Sequence, residues 1–199
     1  KYLDVFEEGT ENRKQVWIHY ANAIHTNALI FDFADEMDSA LFYYEKSLVI
    51  FRELEVNQSI GEVMTGIATI YKSIDDKYFE GLEMAKESFK YLDTNNINTA
   101  ISYSNYANYQ QSQSNLEEAI HYNKESLKIS QRLDSKDNVI STLTNIVAIK
   151  RFQGELETAD SIMQYTISVM KTIENIKPYD YIFVLDELGR LLLAQDKLD

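Results

Sequence analysis

The sequence predicts an all-α chain built from antiparallel helix hairpins set one after another. Three observations carry this: a motif that recurs four times at near-constant spacing, an apolar period of the helical kind, and few helix breakers. Residues 38–48 (DSALFYYEKSL) align on residues 115–127 (NLEEAIHYNKESL), with Ala40 on Ala119 and Ser47 on Ser126. The same frame recurs in residues 78–89 (YFEGLEMAKESF) and 156–167 (LETADSIMQYTI). Self-similarity at such a period marks a repeat architecture, in which one supersecondary unit stacks on the next.

The small residue opening each motif falls at Ala40, Gly81, Ala119 and Ala159, in steps of 41, 38 and 40 residues. About 12 positions upstream lies a second set, Ala28, Ala68, Ala107 and Val147, each inside another amphipathic stretch. Small side chains at both places let two helices approach closely, as ridge-into-groove packing requires. The helical period is explicit in Phe42, Tyr44, Leu48, Phe51 and Leu54, and again in Ile120 and Leu127.

Turn signals fall where hairpins need them, at residues 33–35 (FAD), 75–77 (DDK), 113–115 (QSN) and 153–155 (QGE). Residues 92–96 (LDTNN) and 134–137 (DSKD) read as longer links between hairpins, with Asn, Asp and Ser positioned to cap the following helix. Residues 185–193 (LDELGRLLL) repeat the first-helix pattern, with Gly189 in the small-residue place. The expected organisation is one domain over residues 1–199, with hairpins at 12–55, 58–93, 97–133 and 137–175 and a partial fifth at 179–199. The chain does not begin with Met, so we expect a fragment of a larger protein, with the partner of the last helix beyond Asp199; a capping helix that ends at Asp199 is the alternative.

Composition narrows the function classes. Of 199 residues, 45% are apolar and one is Pro, Pro178, as suits a folded helical chain. Nineteen basic against 32 acidic residues give a net charge of −13, which repels a phosphate backbone and argues against direct nucleic-acid binding. The absence of Cys removes disulfides, thiolate metal sites and cysteine nucleophiles, and leaves the compartment open between cytoplasm and periplasm. No apolar run reaches the roughly 18 residues of a membrane span.

Candidate chemistry is sparse. His19 and His25 are six apart and do not share a helical face, His121 is isolated, and no HExxH spacing occurs, so no metal site is expected. Glu7-Glu8, Asp75-Asp76 and Glu117-Glu118 sit in turns or at helix starts, where carboxylates favour the helix dipole, and not as a pair in unlike environments. Neither a nucleophile elbow nor a phosphate-binding loop is present, so neither enzyme activity nor a cofactor is expected. Among 14 Tyr, including Tyr103, Tyr106 and Tyr109 of one stretch, most read as packing residues, with Tyr109 the exception expected at a surface.

The repeats resemble those of the tetratricopeptide family. Ile146-Val147, Lys150 and Ala159 follow its Leu-Gly, Tyr and Ala pattern, as do Tyr106-Ala107, Gln110 and Ala119. The second repeat fits with one extra turn residue, and no repeat keeps the early Trp or the closing Pro. The period near 40, with residues 126–137 (SLKISQRLDSKD), 143–146 (LTNI) and 152–156 (FQGEL), is similar to tetratricopeptide regions of bacterial histidine kinases and transcriptional regulators. It is less specifically similar to regulators that bind secreted peptides.

The resemblance implies a right-handed superhelical solenoid that binds a protein or peptide, as a sensor region or as a structural adaptor, with a homo-oligomer among the options. It also implies a concave wall built from first helices. Carried across repeat by repeat, that wall presents His25, Leu29 and Asp32, then Thr65, Thr69 and Lys72, then Ser104, Asn105, Asn108 and Gln111. It continues with Thr144, Asn145 and Arg151, then Asp186 and Arg190. Asn105 and Asn145 share one repeat position; an amide there can bond a peptide backbone in both directions, or bond a neighbouring hairpin.

Overall fold

The computed structural model describes residues 11–196, and every regular element among them is helical. In chain order they are α1 (Glu11–Phe33), α2 (Met37–Glu53), α3 (Asn57–Tyr71), α4 (Tyr78–Ser88), α5 (Ile97–Ser112), α6 (Leu116–Arg132), α7 (Lys136–Phe152), α8 (Leu156–Met170) and α9 (Pro178–Ala194). The chain divides into two compact units, Lys1–Asp93 and Thr94–Asp199.

In the first unit α1 packs on α2 and α3 on α4, with α2 also against α3. In the second, α5 packs on α6 and α7 on α8, while α6 and α9 both lie against α7. These pairs are the hairpins expected from the repeat. All eight small-residue positions are buried: Ala28, Ala40, Ala107, Ala119, Val147 and Ala159 at 0%, Ala68 at 1%, and Gly81.

The second helices bury one face at a shared spacing. In α2 this face is Ala40, Tyr44, Ser47, Leu48 and Phe51, and in α8 it is Ala159, Met163, Thr166 and Met170. Each helix also buries a hydroxyl seven residues after its small residue, at Ser47, Ser88, Ser126 and Thr166. Ser47 Oγ donates to the Tyr44 carbonyl at 2.8 Å, Ser88 Oγ to that of Ala85 at 2.6 Å and Thr166 Oγ1 to that of Ile162 at 2.9 Å. A short side chain that returns its hydroxyl to its own helix permits close approach and leaves no donor unpaired.

Five connections share one turn. After α1, α2, α5, α6 and α7 the chain enters the left-handed region at Asp35, Glu55, Ser114, Asp134 and Gly154, with φ between 53° and 77°. At the first, the Asp35 N–H bonds the Asp32 carbonyl at 3.0 Å and the Glu36 N–H bonds that of Phe31 at 2.9 Å; the same pair of bonds recurs at the other four. This is the Schellman arrangement, which satisfies the last carbonyls of the ending helix. The link at 134–137, expected to be longer, is therefore as tight as the turns within hairpins. The connection from α3 to α4 differs: a short 3-10 turn, Asp75–Lys77, absorbs the extra residue of the second repeat.

Side-chain capping is rarer than the Asn, Asp and Ser content led us to expect. Asn96 accepts from the Asn98 N–H at 2.8 Å, whereas Asn115 and Ser135 cap nothing with their side chains. Asn96 has the extended backbone of a capping residue, at ψ 133°, while Asn115 and Ser135 lie at ψ 62° and 84° because each also closes the preceding turn.

The first unit's core joins Tyr44, Leu48, Phe51, Val63, Met64 and Ile67. Gly66 is what lets the Tyr44 ring lie against α3, since a Cβ there would stand 2.6 Å from Cζ of that ring. The second unit's C-terminal core joins Ile140, Val147, Ala159, Met163, Val184 and Leu191. Tyr109, expected at a surface, is 1% exposed like Tyr106. It occupies the repeat position of Ile70 and Ile149, and a first helix flanked by more than one helix, as α5 is by α6 and α7, is buried along two strips.

Candidate protein-binding surface

The predicted wall residues lie on α1 and α3 in the first unit and on α5, α7 and α9 in the second, and the two sets have different surroundings. On α1, His25 is half-buried with its ring 5.7 Å from Tyr44 and 6.4 Å from Phe51. Burial lowers its pKa, opposed in part by the Glu62 carboxylate. Asp32 accepts a hydrogen bond from the Tyr44 hydroxyl at 3.1 Å, and burial together with that carboxylate raises the Tyr44 pKa. His25 and Asp32 thus brace α1 on α2 while keeping partial exposure, and Leu29 between them is half exposed.

On α3, Thr65 turns inward, donating to the Gly61 carbonyl at 2.9 Å and lying 3.3 Å from Ser88 Oγ of α4. Thr69 is exposed, with its hydroxyl on the Thr65 carbonyl at 3.0 Å. Lys72 is half-buried, and desolvation lowers its pKa.

In the second unit α5 and α7, the first helices of consecutive hairpins, lie against each other. Asn145 Nδ2 of α7 donates to Ser104 Oγ of α5 at 3.1 Å, and Ser104 Oγ donates to Asn123 Oδ1 of α6 at 3.3 Å. This polar relay crosses three helices. Asn123 is fully buried and its Nδ2 has no partner, the one unmatched atom of the relay among the described residues. Thr144 is fully buried, its hydroxyl on the Ile140 carbonyl at 2.8 Å.

Beside the relay, Asn105, Asn108 and Gln111 of α5 are all half-buried. Among the described residues Asn108 and Gln111 make no side-chain hydrogen bond, so each keeps a donor and an acceptor available. Toward the C-terminal end, Arg151 of α7 grips Glu187 of α9, with Nε to Oε1 at 2.7 Å and a second bond from Nη2 to Oε2 at 3.2 Å. Asp186 and Arg190 pair on the exposed side of α9 at 2.9 Å.

Sequence reasoning named Arg151 but missed its partner. Glu187 stands at the repeat position of Asn105 and Asn145. An acid where two repeats have an amide was the available signal. Also missed were the buried hydroxyls at Ser47, Ser88, Ser126 and Thr166, although the match of Ser47 to Ser126 was visible.

No family model matches the chain, and no curated protein matches its sequence. Solved structures do match its fold. BtubC (BKLC) from P. vanneervenii aligns with 17% identity over 91% of this chain and 75% of that one, at a TM-score of 0.74. A putative kinesin light chain with nearly identical TPR-like repeats from Podosopora anserina aligns with 14% identity over 90% of this chain and 89% of that one, at a TM-score of 0.69. At these identities the likeness shows the fold: a solenoid of tetratricopeptide-like helical hairpins.

Proposed function

We propose that this tetratricopeptide-like solenoid is a protein- or peptide-binding scaffold whose recognition surface includes the polar strip of α5 and α7. The carrying observation is the strip itself. Asn105, Asn108 and Gln111 follow one another at helical spacing, and the Asn145–Ser104 bond holds α7 beside them. The amides of Asn108 and Gln111 are half open and unused within the described residues.

Amides so placed bond the N–H and C=O groups of an extended peptide, giving affinity through the main chain with little demand on side chains. A net charge of −13 favours a cationic peptide over an acidic one and speeds its approach. His25, Asp32, Thr69 and Lys72 belong to the same reading for the first unit. A finer reading, the sensor region of a bacterial histidine kinase or transcriptional regulator, draws support from the repeat period near 40 and from residues 126–156.

An array of extended ten-residue peptides of graded net charge tests the surface. Wild type is expected to bind a cationic subset, and Asn108→Ala/Gln111→Ala to weaken that binding about tenfold, as the loss of one or two hydrogen bonds implies. Binding unchanged in the double variant rules the strip out and favours an adaptor that docks through another face.

A further inference from the structure

Helices α6 and α8 both pack on α7, and a cleft of about 400 Å³ opens where their C-terminal ends meet its first turn. Its apolar lining comes from Val139 of α7 and from Tyr165 and Val169 of α8. On α8 these two each precede a buried residue, Thr166 and Met170, and so flank the seated face of the helix. Val139 is 6% exposed and Val169 half-buried, while Tyr165, 50% exposed, leaves half of its surface to be covered by something else.

Two opposite charges complete the lining. Asp134 is carried by the left-handed turn between α6 and α7, at φ 53°, and Lys136 opens α7 two residues on. They do not pair with each other. Among the described residues the Asp134 carboxylate and the Tyr165 hydroxyl make no hydrogen bond or ion pair, and the Lys136 ammonium makes only a long bond, 3.4 Å, to the Thr172 carbonyl. An apolar base with a few convergent polar groups is the composition of a small-molecule site, and this volume lies at the small end of such sites. The charges then select the ligand. A bare cation meets Lys136 and a bare anion meets Asp134, whereas a ligand carrying both signs satisfies both. Because Asp134 and Lys136 are two residues apart, the ligand's own charges must sit close together. The ammonium and carboxylate on the one α-carbon of a free amino acid do so, and an apolar side chain beyond them covers Val139, Val169 and the Tyr165 ring.

We propose that this cleft binds a free α-amino acid with an apolar side chain, its ammonium on Asp134, its carboxylate on Lys136 and its side chain against Val139 and Tyr165. The cleft shares no residue with the α5–α7 amides, so it is a second site, for a small molecule, on the same unit.

The probe is L-phenylalanine, titrated into the intact chain and followed through backbone amide chemical shifts. Saturable shifts are expected at residues 131–139 and 165–172, with a Kd on the order of 1 mM, as an open cleft of this size implies. N-acetyl-L-phenylalanine lacks the cation and L-phenylalaninamide the anion, and each should bind at least about fivefold more weakly. Asp134→Asn keeps a side chain that tolerates the left-handed turn while removing the charge, and it should weaken phenylalanine by a similar factor. Tyr165→Ala, at a half-exposed position, should do the same without unfolding α8. No saturable shifts at these residues, or binding indifferent to both Asp134→Asn and Tyr165→Ala, overturns the proposal. So does phenethylamine or 3-phenylpropanoate binding as tightly as phenylalanine, because the cleft then reads one charge and not the pair.

Discussion

Arg151 holds Glu187 through two hydrogen bonds, at 2.7 and 3.2 Å, and so ties α7 to α9 across 36 residues of sequence. The Glu187 side chain is 7% exposed and that of Arg151 24%. Removing the cation leaves a nearly buried carboxylate without its partner. Arg151→Met is expected to lower unfolding free energy by about 2 kcal/mol, under the 3–5 kcal/mol of a fully buried pair because water still reaches the guanidinium. In urea titrations Arg151→Met/Glu187→Leu should recover at least half of that loss. A double variant no more stable than Arg151→Met contradicts the assignment.

The groove between Tyr44 and Gly66 should not tolerate a methyl group. An Ala Cβ at position 66 meets the ring of Tyr44, 1% exposed and enclosed by the core, so the ring must shift. Gly66→Ala is expected to destabilise by about 1–3 kcal/mol, outweighing the ~1 kcal/mol that Ala gains over Gly in a helix. A rise in melting temperature would show that Tyr44 yields freely.

Ser114 holds φ at 61° between α5 and α6, a conformation that costs an L-residue about 1 kcal/mol. Ser114→Gly relieves it and should stabilise by roughly that amount in the same titrations, whereas Gly154→Ala, at φ 77°, should destabilise.

The half-buried imidazole of His25 gives stability a pH slope. Its folded pKa lies below 6.5, chiefly through burial, so the unfolded chain takes up the proton first as pH falls. Where the unfolded state binds more protons, stability falls with falling pH. Wild type should therefore lose stability as pH drops through 6.5, and His25→Gln should flatten that part of the curve. Parallel curves for the two chains would show that His25 is as free to protonate in the folded state as in the unfolded one.

Much of the fold was legible in the sequence because it rests on covalent spacing. The small residues at Ala28, Ala40, Ala107, Ala119, Val147 and Ala159 are where the repeat required them, and Asp35, Ser114 and Gly154 turn the chain at the marked places. The binding surface was legible only as positions. Asn145 was open to two partners, and contact with the preceding hairpin decided its bond to Ser104.

The sequence by itself determined the hairpin frame, the helix order and the turns, since period and turn chemistry act within a few residues of the chain. Tertiary structure alone decided which faces were left over. Tyr109 and Thr144 went inside, Arg151 found Glu187, and α9 kept Ile182, Leu185 and Leu193 exposed. The physical reason is that an amphipathic pattern says which side of a helix seeks cover. Whether cover arrives depends on helices that are distant along the chain.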